Sequence, residues 1–162
     1  MKKLWGKIFT TAALACMLCL TGLIMTGEAQ ARFTDHGNGT VTDGVTGLMW
    51  TKNTNPFGAL NWHEAMSRCS SFSIRGFGQL GRIGDWRLPS LDELMVLHGA
   101  MKSGHPFTGI VQFAYYWSDT TPWHNTNQAC AWQMMSDGGP VYSVCFNKTS
   151  SFNIVWPVRD AQ

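Results

Sequence analysis

Two cysteines set at matching distances from one turn constrain this chain more than any other feature. The segments "ACAWQMM" and "PVYSVCF" flank "SDGG". Both flanks have strand character, and the glycine-rich centre reads as a hairpin turn. Counted outward from that turn, Cys130 and Cys145 fall nearly opposite each other. That register favours a cross-strand disulfide, which would close a loop of about 15 residues. A bridge of this kind needs an oxidising compartment.

The N-terminus points to such a compartment. Lys2, Lys3 and Lys7 precede an apolar run from Ile8 to about Met25, and "AQA" at Ala29 to Ala31 is a small-x-small cleavage pattern. Residues 1–31 are therefore expected to be a secretory signal peptide. The alternative is a retained membrane anchor, because the run approaches spanning length. Cys16 lacks the leucine three residues earlier that a lipoprotein signal uses; Ala13 stands there. Cleavage leaves residues 32–162, which is 162 − 31 = 131 residues, enough for one domain with a real core. The expected location is periplasmic or extracellular. Three cysteines remain, so at most one internal bridge forms, and Cys69 is expected to be a buried free thiol.

Charge narrows the function. The 12 basic residues lose Lys2, Lys3 and Lys7, and the 10 acidic residues lose Glu28, leaving nine of each. A near-neutral chain without a basic run has no nucleic-acid footprint. Seven of the eight tryptophans remain, which suits a loop-rich domain packed around aromatic anchors.

Along the chain, "RFTDHGNGTVTDGVTGLMW" reads as two hairpins with strands at Arg32–Thr34, Thr40–Thr42 and Leu48–Trp50. Asp35, Asn38 and Asp43 suit the turns; their spacing matches a calcium loop only weakly. "LNWHEAMSRCSSF" reads as a helix capped by Asn61, with Trp62, Ala65, Met66 and Cys69 on its apolar face. The glycines of "SIRGFGQLGRIGDW" do not fit a phosphate-binding spacing. In "GDWRLPSLDEL", Ser90 and Glu93 form a capping box, Pro89 fixes the helix start, and Leu91, Leu94 and Leu97 share a face. "HGAMKSGHPFTGIVQF" follows as a long loop. The strand-like segments "AYYWSDTT", "QACAWQMM", "PVYSVCF" and "NIVWPVRD" then give an α+β class, with two helices beside an antiparallel sheet.

Taken in order, "NGTVTDGVTGLMW", "LNWHEAMSRC", "GDWRLPSLDEL", "YYWSDTT" and "VWPVR" resemble the Lcl C-terminal domain family of bacteria. The resemblance implies a C-type-lectin-like fold, and "RLPSLDEL" is similar to the helix start of formylglycine-generating enzymes. In such a fold Trp86 would fill the joint between the second helix and the sheet. Arg87 would pair with a carboxylate or with loop carbonyls. Trp50, Pro89, Trp117, Trp156 and Arg159 belong to the same shared pattern and are expected to build the scaffold.

The expected mature chain contains no H-E-x-x-H, G-x-S-x-G or C-x-x-C, and its histidines at 36, 63, 98, 105 and 124 follow no ligand rhythm. No catalytic residue, metal or cofactor is expected. The resemblance instead implies a scaffold that displays variable loops. "TPWHNTNQ" and "FNKTSSFN" are the least pattern-bound stretches, which nominates Trp123, His124, Asn125, Asn127, Asn147 and Lys148 for a glycan or an envelope protein. The competing view makes them solvated loop residues. Relatives on collagen-like adhesins bind sulfated glycans. This sequence has only Lys148 in that region and no collagen-like repeat, which points away from a strongly sulfated ligand and from their trimer. Other relatives diversify Asn-coded loop positions. Two further classes stay open: an envelope-assembly subunit, and a formylglycine-generating-like enzyme.

Overall fold

The computed structural model describes residues 31–73 and 85–161. Residues 1–30 of the expected leader, and most of the glycine-rich stretch before Trp86, lie outside the described residues.

Turn chemistry builds the first sheet. Strands β1 (Phe33–Asp35), β2 (Thr40–Asp43) and β3 (Leu48–Thr51) sit within a residue or so of their expected bounds. Asp35 Oδ1 accepts from the Gly37 N–H at 3.0 Å, and Asn38 Oδ1 accepts from the Thr40 N–H at 3.0 Å. Gly37 and Gly39 provide the left-handed φ of 69° and 87° that such a tight reversal needs. Asp43 accepts from the Val45 N–H and takes both Arg32 bonds, at 2.9 and 2.7 Å. Asp35, Asn38 and Asp43 are thus engaged by turns and ion pairs. A C-terminal strand, β9 (Val158–Asp160), pairs with β3 and completes an antiparallel order β1-β2-β3-β9.

Helix α1 (Trp62–Ser70) starts at Asn61, whose side chain accepts from the Glu64 N–H at 3.0 Å. Ala65 and Cys69 are buried, but Met66 is 36 % exposed. Met66 lies about 100° round from Ala65, on the rim of the face rather than its centre. Helix α2 (Leu91–Met101) carries the full capping box between Ser90 and Glu93. It runs past His98, where a loop was expected. Leu94, Leu97, His98 and Met101 are all buried, so the i, i+3, i+4, i+7 pattern continues inward through Met101.

The remaining strands correct the expectation of one antiparallel sheet. A second sheet has the order β4 (Ala59–Leu60), β8 (Asn153–Ile154), β5 (Tyr115–Trp117), β6 (Gln128–Gln133), β7 (Ser143–Asn147). Its β5–β8 pairing is parallel. "NIVWPVRD" divides between the sheets because Pro157 interrupts it: β8 joins the second sheet and β9 the first. The class remains α+β.

The second sheet separates two apolar clusters. Side chains alternate along a strand, so Tyr116 enters one cluster and Trp117 the other. Tyr116 meets α2 residues Leu94, Leu97 and Met101 together with Trp50 and Val158 of the first sheet. Trp117 meets Ala65 and Cys69 of α1. The buried indoles also tie strands together: Trp156 Nε1–H donates to the Thr51 carbonyl at 2.9 Å, and Trp117 Nε1–H to the Leu60 carbonyl at 2.8 Å. Cys130 and Cys145 are register partners and are bridged. The connection between their strands, 134–142, is longer than a tight turn, with "SDGG" near its midpoint. Among the described residues, no helix is long and apolar enough to cross a membrane.

Candidate functional site

The scaffold segment around Trp86 positions the loops, through bonds from Pro89 and Leu91 to Asp119 and Thr120. Trp86 is 1 % exposed. Its ring meets Phe72, just beyond α1, at 5.5 Å, and the Arg159 guanidinium lies 5.4 Å from its centroid. It therefore fills a joint between the end of α1 and β9. Arg87 exchanges two backbone hydrogen bonds with Val158, at 2.9 and 3.0 Å, and so adds a bridge to β9. Its guanidinium meets Glu93 at 2.8 and 2.7 Å and also donates to the Leu88 carbonyl at 3.1 Å. Both partner types expected for Arg87 are present. Burial alone would raise the Glu93 carboxyl pKa, but the Arg87 bonds and the Ser90 N–H outweigh it and hold the group below its ordinary value.

Pro89 and Thr120 carry this order to the surface. The Asp119 N–H donates to the Pro89 carbonyl at 2.9 Å, and Thr120 Oγ1 accepts from the Leu91 N–H at 3.0 Å. The loop that follows holds Trp123 and His124. Trp123 is 92 % exposed and stands edge-on to His124, with centroids 5.6 Å apart. Asn125 Oδ1 accepts from the Asn127 N–H at 3.2 Å.

The second loop is stitched to the first. The Lys148 N–H donates to the Asn127 carbonyl, and the Trp62 N–H to the Lys148 carbonyl, at 2.9 and 3.0 Å. Lys148 Nζ lies 4.1 Å from the centroid of the Trp62 ring, a cation–π contact. Trp62 Nε1–H donates to the Ser118 carbonyl at 2.9 Å. Asn127, Asn147 and Lys148 therefore share one end of the β6–β7 pair, where Lys148 lies over Trp62. The sequence places Trp62 on the core-facing side of the helix. Its position at the first turn of α1, ahead of any wall of neighbouring turns, is the signal that leaves one ring face for Lys148.

The amides are less available than their sequence suggests. Asn147 Oδ1 already accepts from the Thr149 N–H and Oγ1 and from the Ser150 N–H, at 2.9, 2.8 and 3.1 Å. Asn125 and Asn147 thus use their carbonyl oxygens to shape the loops and keep their Nδ2 donors. Asn127 is exposed, and its side chain makes no hydrogen bond among the described residues.

Elsewhere the chemistry is quiet. No three His, Cys, Asp or Glu side chains are gathered as a metal site among the described residues. Burial pushes the Cys69 thiol up to about 12, so it stays protonated at neutral pH.

Neither the curated proteins nor the solved structures contain a match to this chain. The model of the Lcl C-terminal domain family matches residues 39–159, about three quarters of the sequence. That span runs from the turn before β2 to the middle of β9, and takes in both helices and all or part of every strand except β1. The chain belongs to the Lcl C-terminal domain family.

Proposed function

We propose that this protein is an exported, non-enzymatic binding module whose ligand sits on the loops that carry Trp123 and Lys148. The observation that carries the reading is the indole of Trp123. It is 92 % exposed in a chain that buries four other tryptophans almost completely. An aromatic plane presented to water, on a loop that also carries Asn125 and Asn127, suits stacking on a sugar face or a peptide. The Cys130–Cys145 bridge supports export to an oxidising compartment. The lectin-like relation that the family resemblance implies fits this loop display. The bridged cysteines and the protonated Cys69 weigh against thiol chemistry of the formylglycine-generating kind.

A second reading, an envelope-assembly subunit, draws on a different surface. Tyr142 and Phe113 are about 60 % exposed, and Tyr142 leans on Tyr115, which in turn packs on Phe146. An array of neutral and sulfated glycans together with purified envelope proteins tests the two. The first reading expects binding that falls about tenfold or more in Trp123→Ala. Undiminished binding by that variant would overturn it.

A further inference from the structure

The connection between β6 and β7 rests on two histidines. The Met135 N–H donates to His98 Nε2 at 3.3 Å, and His98 is only 3 % exposed. An imidazole nitrogen that accepts a hydrogen bond carries no proton, so this contact exists only while Nε2 is bare. One residue on, His105 Nε2–H lies 3.0 Å from the Ser136 carbonyl. Gln112 holds Ser136 from the other side: its Nε2 donates to Ser136 Oγ at 2.6 Å, and its Oε1 accepts from the Ser136 N–H at 3.2 Å. Gly138 then seats on α2 so closely that an added Cβ would lie 2.9 Å from the His98 carbonyl oxygen, and its φ is +64°. The segment is anchored before this point. Met134 exchanges backbone bonds with Phe113 and Ala114, and its side chain is fully buried.

We infer that residues 135–140 form a pH-sensitive strap, closed on α2 while His98 is neutral and released when His98 takes a proton at Nε2. Protonation replaces an acceptor by a second donor pointing at the Met135 N–H, so attraction becomes repulsion. The charged ring would also be buried against Trp132, whose centroid is 6.1 Å away. The charges that face His98 oppose one another. Lys102, one turn on along α2, disfavours the imidazolium, and Asp137 on the strap favours it. Burial is the largest influence and holds the ring pKa below its ordinary value. Release stops at Met134 on one side and at the disulfide-bridged β7 on the other. It therefore frees the strap without opening the sheet, and Tyr142 stays tied to β6 through the Gln133 N–H at 3.2 Å.

Amide hydrogen exchange read by NMR tests this, with the His98 ring followed by its own Cε1 shift. After correction for intrinsic rates, Met135 protection should begin to fall near the ordinary histidine value of about 6.5 and drop about tenfold per pH unit until the closed-state ring titrates. Ala131, on the same strand, should keep its protection. In His98→Gln the Met135 protection should not change over that range. An equal fall in His98→Gln overturns the inference. So does a wild-type ring that titrates with no change at Met135, or a fall shared by Ala131. The wild-type comparison decides the matter even if the variant does not fold.

Discussion

At the scale of single residues, the tryptophans divide into two jobs. Trp50, Trp86, Trp117 and Trp156 are at most 1 % exposed. Their shared pattern in the sequence already marked them as scaffold. Truncating Trp86 to alanine removes a ring packed against Phe72 and Arg159 and should cost about 3–5 kcal/mol. Truncating Trp123 should leave the melting temperature within about a degree or two, because its ring is in water. Thermal melts of the two variants check both. Trp62 shows where reading the residues one by one ran out. A helical wheel assigns it to a face, but only the tertiary fold brings Lys148 across the chain onto its ring.

At the scale of elements, local chemistry was most legible. The Asn61 and Ser90 caps follow from side chains that satisfy orphan N–H groups a few residues away, so no distant partner is needed. Ser90→Ala should therefore lower stability by about 1 kcal/mol. The β6–β7 register was legible for the same reason, since a turn and two cysteines define it. Removing the bridge with Cys130→Ala and Cys145→Ala together should cost up to about 3 kcal/mol by the chain-entropy argument, as read by urea unfolding. A thiol reagent applied to the native protein at pH 8 should leave Cys69 unmodified, whereas the unfolded chain should react fully. What the sequence concealed was the partition of "NIVWPVRD" between two sheets. Strand pattern specifies which faces are apolar but not which neighbour supplies the ladder.

At the scale of the whole molecule, three buried or half-buried groups give stability the same slope with pH. His98 is held below its ordinary value of 6.5, so the unfolded chain binds that proton more readily and stability declines as pH falls below about 6.5. Burial alone would raise Asp43, but the Arg32 pair and the Val45 N–H outweigh it and hold its pKa below 3.8; Glu93 is likewise held below 4.5. Their contributions are present above those ordinary values and are lost as pH falls further, through their folded values. Melts at pH 7.5, 5.5 and 4 should thus decline in that order, with a flat interval between 7.5 and 5.5 contradicting the role of His98. The proposed binding surface is also a whole-molecule property: α1, the segment after β5 and the segment after β7 each supply part of it. Its loops were legible as candidates because they lack core pattern. Their convergence on α1 was not, since it depends on the tertiary packing that brings Trp62 under Lys148 and against Ser118. The most direct measurement is NMR mapping of the protein titrated with the tightest-binding oligosaccharide from the array. The account predicts shift changes confined to residues 121–128 and 147–150 and to the Trp62 indole. Changes centred on Tyr115, Tyr142 and Phe146, with the Trp123 loop silent, would contradict it.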